Sequence, residues 1–116
     1  MNRTWICLGL ALGIFACGRL ANTDEKADQE KRIVCISKQL SEIIWALGAQ
    51  QDIVAVDLSS TYPPEIKSLP TVGYHRALTA EGILATRPTL ILHDNNIGPE
   101  QVVRQLEDLK IPMKVF

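Results

Sequence analysis

RIVCISKQLSEIIWALGAQQDIVAVD, residues 32–57, carries two different periodicities in one line. RIVCI, residues 32–36, is a short β-branched run of the kind a strand carries when both its faces are buried. Ser37 follows, a favoured N-cap residue, and Leu40, Ile43, Ile44 and Leu47 then recur at helical spacing. Gly48 stands where a helix ends in the left-handed conformation. DIVAVD, residues 52–57, reads as a second strand. Strand, helix and strand in this order predict a parallel βαβ unit.

The pattern continues on the carboxyl-terminal side. In LSSTYPPEIKSLP, residues 58–70, Pro63 and Pro64 pre-set the first turn of a short helix and Pro70 stops it. Thr79 caps a further helix reaching about Thr86, which Pro88 ends. TLILH, residues 89–93, is a third strand. DNNIGP, residues 94–99, is a loop with Pro99 at the first helical position, and Val102, Val103, Leu106 and Leu109 form the stripe of the next helix. MKVF, residues 113–116, is a fourth strand. The fold class expected is α/β: a parallel, Rossmann-like sheet of about four strands flanked by helices.

Composition agrees with one small domain. The chain has 116 residues, 47% of them hydrophobic and 22% charged, with a net charge of −1. Nothing in that balance supplies the basic face that nucleic acid needs. Cys35 stands alone in an apolar run, where a buried, inert thiol is expected, and no disulfide framework or zinc spacing is present.

The first residues differ from the rest. MNR is followed by the apolar run TWICLGLALGIFA and then by CG. A charged start, a short apolar run and small residues read as a secretory signal over residues 1–18. The run is shorter than the ~20 apolar residues a membrane-spanning helix takes. A buried N-terminal helix is the competing reading, but the polar segment 19–31 that follows offers nothing to cover it. Two processing patterns remain open. Ala16 and Gly18 fit an ordinary signal peptidase site, and IFAC, residues 14–17, is similar to a bacterial lipobox that would place a lipid on Cys17. Residues 19–31 are read as a flexible polar tether and residues 32–116 as the folded part.

A helix that returns the chain to the start of the third strand must begin at the carboxyl edge of the sheet, where ligands bind in such folds. That places TVGYHRALTAEGIL, residues 71–84, on the ligand edge beside DLSSTYP and DNNIGP. If residues 72–76 are extended, Tyr74 and Arg76 face one way and His75 the other. A guanidinium near a phenol favours phenolate, and phenolate oxygen is an axial ligand for ferric haem iron. The arginine could also pair with a propionate. Each residue also has a plainer reading: Tyr74 as a half-buried packing residue, Arg76 and His75 as surface side chains. Asp57 and Asp94 end strands, and His93 beside Asp94 invites a metal or acid–base reading, but loop polarity is the commoner cause of such residues. No nucleophile elbow, phosphate loop or paired carboxylates point to an enzyme.

Residues 32–63, VGYHRALTAEGILATRPTLIL and GPEQVVRQLEDLKIPMKVF resemble the amino-terminal lobe of the periplasmic haem-binding proteins of bacterial ABC haem importers. These lie within a wider group of cobalamin, siderophore and haem binding proteins that have two lobes joined by a long helix. SEIIWALG, IVAVD, TYP and EGILATRPTL carry the group resemblance, and VGYHRALTAEGIL the resemblance to the haem branch. The resemblance implies that Tyr74 is the axial ligand to ferric haem, that Arg76 supports it, and that Glu81 pairs with arginines of the membrane permease. Glu81 reads equally as an acidic residue favourably placed in a helix's first turn. The implied protein is a monomer that captures haem and passes it to an ABC permease and its ATPase, in the periplasm or anchored to the outer face of a membrane.

Three other outcomes stay in view: a cobalamin-binding protein, a ferric-siderophore-binding protein, and a truncated product with no activity. Tyr74 with Arg76 favours haem, because a neutral corrinoid does not call for an anionic oxygen ligand. The chain stops where the family's connecting helix begins. It is therefore expected to be one lobe of a longer protein, and to hold haem weakly by itself, since one open face buries little of a porphyrin.

Overall fold

A computed structural model describes residues 29–116. The leader expected over residues 1–18, with Cys17, and all but the end of the tether expected over residues 19–31 lie outside the described residues. Four strands, β1 Ile33–Ile36, β2 Ile53–Val56, β3 Leu90–His93 and β4 Met113–Val115, form one sheet in the order β2-β1-β3-β4. Every pairing is parallel. The α-helices are α1 Lys38–Ala46, α2 Ala80–Leu84 and α3 Glu100–Asp108, and short 3₁₀ turns occupy Gln50–Asp52 and Pro64–Ser68. The α/β reading holds, with helical segments alternating with parallel strands.

The strands separate two cores. Val34 and Ile36 of β1, Ala55 of β2 and Ile91 of β3 pack with Ala80 and Ile83 of α2 and Val102 and Leu106 of α3. On the opposite face Cys35, Ile53 and Val56 meet Ile66, with Leu40, Ile44 and Trp45 of α1 closing over them. The alternation slips once. Ile33 pairs with Ile53 but Val34 pairs with Ala55, so Val54 is an extra residue in β2. That bulge lets Ile53 and Val56 share a face although they are three positions apart.

The expected stripe of α1 is half right. Leu40 and Ile44 pack inward, but Ile43 is 53% and Leu47 77% exposed, and Ser41 is the helix's fully buried side chain. The inward face is set by Leu40, Ser41, Ile44 and Trp45, so hydrophobicity alone misplaces its centre. Ser37 occupies the N-cap position without capping, because its hydroxyl donates to Gln39 Oε1. Gly48 does end the helix, with φ +75°. Its N–H bonds Trp45 O and that of Ala49 bonds Ile44 O, the paired closure of a Schellman motif. Thr79 caps α2 as expected, its Oγ1 accepting from Gly82 N at 3.1 Å. Pro99 is the N-cap of α3, not its first residue.

The amino end of the sheet is closed by Arg32. Its main-chain N–H bonds Thr89 Oγ1, and its guanidinium donates to the carbonyls of Thr86 and Arg87 beyond α2. Carbonyls that the short helix leaves unpaired are thereby satisfied. The carboxyl end stays open.

Candidate functional site

The connections that leave β1, β2 and β3 meet at the carboxyl edge, together with the segment before α2. Ile36, Ser37, Lys38 and Gln39 form one wall of a cleft of about 390 Å³. Ser59 comes from the loop after β2, Asp94 and Asn96 from the loop after β3, and Tyr74 and His75 from the loop before α2. The placement derived from strand order is thus observed.

The Tyr74 loop is a turn and not an extended strand. Gly73 has φ +95°, a backbone conformation that an L side chain strains to adopt, and it starts the reversal. Ala77 N then donates to Tyr74 O at 2.8 Å, closing a turn through His75 and Arg76. This corrects the alternation expected of residues 72–76, because a turn does not send side chains to opposite faces in sequence. It is His75 whose ring packs against Tyr74, with centroids 4.3 Å apart and planes tilted by 53°. Arg76 is exposed and does not line the cleft. Tyr74 is 48% exposed, so its phenol is not sealed beneath the core.

Both ends of the turn are bonded to the scaffold. Leu58 N donates to Gly73 O at 2.8 Å, and Gly98 N to His75 O at 2.9 Å. His75 is held through its ring as well. Its Nδ1 lies 3.4 Å from Asp57 Oδ2, and its Nε2 is 3.5 Å from the amide nitrogen of Asn96. Asp57 is 1% exposed. Its carboxylate accepts from Ser59 N, from the Ser59 hydroxyl and, at 2.7 Å, from Ser60 Oγ. Ser60 Oγ, its hydrogen given to Asp57, is an acceptor 2.7 Å from Ser41 Oγ, whose single hydrogen is shared between Ser60 Oγ and Ser37 O at the entrance to α1. A buried polar chain therefore runs from α1 to the aromatic pair in the cleft. Each member has a partner, as a buried carboxylate and buried hydroxyls require.

The remaining residues take plainer roles. Asp94 accepts Asn96 N through Oδ1 and so shapes its own loop, as the loop-polarity reading expects. His93 is buried at the end of β3 with Nδ1 2.9 Å from Asp94 O. Cys35 is fully buried, and burial pushes its thiol up to about 11 despite bonds to Ser41 and Ser37, consistent with an inert group. Among the described residues no group of three or more His, Cys, Asp and Glu side chains converges as a metal cage. Glu81 is exposed in the first turn of α2. In the sequence Asp57 stands out only as the end of a strand, and Ser41 and Ser60 do not stand out. The available signal was an acidic residue directly after a buried strand, followed at once by two serines.

A doubly covered parallel sheet with a cleft at its carboxyl edge defines the α/β ligand-binding class, here as a single lobe. The sequence profile of the periplasmic binding protein family matches residues 33–116. A solved periplasmic haem-binding protein of Roseiflexus sp. RS-1, in apo form, superposes with a TM-score of 0.71 at 44% identity, over 74% of this chain and 33% of that one. One from Pseudomonas aeruginosa gives 0.72 at 40% identity, over 74% and 31%. A vitamin B12-binding protein of Pectobacterium carotovorum is 32% identical over 83 residues, 72% of this chain and 30% of its own length. The chain thus belongs to the periplasmic binding protein family and spans about a third of the length of these relatives. They are named as binding proteins, not enzymes.

Proposed function

We propose that this lobe presents Tyr74 as an oxygen ligand to the iron of ferric haem, the cargo of an ABC importer. The observation that carries the reading is the half-exposed phenol in the carboxyl-edge cleft, on a turn fixed at both ends. Phenolate is a hard, anionic donor suited to iron(III), and it needs no second protein ligand to mark the metal's position. The haem-binding structures, at 40% and 44% identity, support haem over other cargo. Arg76, exposed on the turn, is the residue to meet a propionate. Glu81, exposed at the start of α2, is the residue to meet permease arginines. Membership of the family implies a periplasmic location; an anchor through Cys17 is part of the proposal.

Titration of the chain with hemin tests the ligand. A ferric tyrosinate charge-transfer absorption is expected, and Tyr74→Phe should remove it and weaken binding about 100-fold, or ~2.7 kcal/mol. Equal binding by Tyr74→Phe without loss of that absorption overturns the assignment. The relative from Pectobacterium gives cobalamin a specific claim. Cyanocobalamin bound more tightly than hemin, and indifferent to Tyr74→Phe, would establish that reading instead.

A further inference from the structure

Tyr74 could point its oxygen in several directions from an exposed turn, yet a ligand to iron in a porphyrin must approach along one axis. The bonds at Gly73 and His75 fix the backbone of the turn, but they leave the phenol ring free about its own side-chain torsions. What stands against that ring is His75, and what holds His75 is a carboxylate with almost no exposure.

We infer that Asp57 and His75 form a positioning pair that sets the orientation of the Tyr74 phenol in the cleft. The inference rests on the reading of Tyr74 as the iron ligand and names the residues that aim it. Asp57 is itself buried and accepts from three donors of Ser59 and Ser60. Its Oδ2 faces His75 Nδ1, and the Asn96 amide nitrogen faces Nε2, so the two ring nitrogens have different partners. A ring held at both nitrogens cannot rotate without breaking a contact. Tyr74, packed on that ring at 4.3 Å, inherits its orientation. A carboxylate fixing an imidazole that lies beside a metal ligand is a familiar way to stiffen a site from behind. Here the imidazole passes the constraint to a phenol by packing instead of binding the metal itself.

Two variants and a ligand-free readout test the pair. His75→Phe keeps an aromatic ring beside Tyr74 but gives up both nitrogen contacts, and Asp57→Asn removes the charge behind the ring. The chain has two tyrosines, so ¹³C-tyrosine labelling yields two assignable ring systems. In the absence of hemin, both variants are expected to shift and broaden the Tyr74 ring resonances and leave those of Tyr62 in place. With hemin, affinity should fall about tenfold with the tyrosinate absorption retained but displaced. Unchanged Tyr74 resonances and an unchanged absorption in folded His75→Phe overturn the inference, even if Asp57→Asn fails to fold. The ligand-free spectrum judges the pair independently of haem, so a chain that proves to bind cobalamin would sink the haem reading and leave this test standing.

Discussion

On one side of the sheet α2 and α3 lay Ala80, Ile83, Val102 and Leu106 against Val34, Ile36, Ala55 and Ile91. On the other side the fully buried side chain of α1 is a serine, and Ile43 and Leu47 of the same helix face outward. The first face is closed by hydrocarbon volume. The second is closed by a smaller apolar cluster and by hydroxyls that link α1 to Asp57 and, through it, to the cleft. Apolar packing is indifferent to direction, whereas a hydrogen-bonded chain has fixed ends. The face that is weaker in volume is therefore the one able to orient the site.

The two faces should fail differently. Ile91 is fully buried in β3, the strand that pairs with both β1 and β4. Ile91→Ala removes buried hydrocarbon and leaves a cavity in the larger core, at an expected cost of about 3 to 4 kcal/mol. That is a large share of the ~5–15 kcal/mol available to a domain. Urea denaturation should show the midpoint falling steeply. A loss below ~1 kcal/mol would mean that this face is not the one that holds the fold.

The alkaline limit probes the second face. Cys35 is buried there, and its burial raises the thiol to about 11 from an ordinary value of 9.0. The unfolded chain then loses its proton first. The stabilisation is complete below pH 9 and disappears as pH rises from about 9 to about 11. At its full extent it is worth ~2–3 kcal/mol. Cys35→Ala should flatten stability across that window, relative to wild type, in denaturation series at several pH values. An identical alkaline slope in the variant would show that another group is responsible.

Strands and helices were legible because buried parallel strands are β-branched runs and because Gly48 and Thr79 mark helix ends by mechanisms that act locally. The cleft was legible because strand order fixes which loops share an edge. What escaped reading depends on contacts between residues far apart in sequence. Asp57 and His75 come from different loops, and Ser41 and Ser60 are nineteen positions apart. Ser37 looks like a cap until Gln39 competes for its hydroxyl. An extended reading of residues 72–76 misses the turn at residues 74–77, because the positive φ of Gly73 shows only in the backbone. Tyr74 itself was found by resemblance, and its exposure is what the structure adds.

Ser60→Ala is the smallest of these perturbations and the most discriminating. Its hydroxyl is shared between Asp57 Oδ1 and Ser41 Oγ, so its removal leaves one oxygen of a buried carboxylate without a protein donor. The cost expected from such a loss is about 1 to 2 kcal/mol, visible as a modest shift in the urea midpoint. A purely structural role ends there. If the polar chain orients the cleft, Ser60→Ala also loosens Asp57, and the hemin affinity of the folded protein should drop several-fold. Ile91→Ala, corrected for its unfolded fraction, should keep wild-type affinity although it costs more stability. The reverse ordering, with affinity tracking stability in both variants, would mean that the two faces serve the site equally and that the polar chain carries no directional constraint.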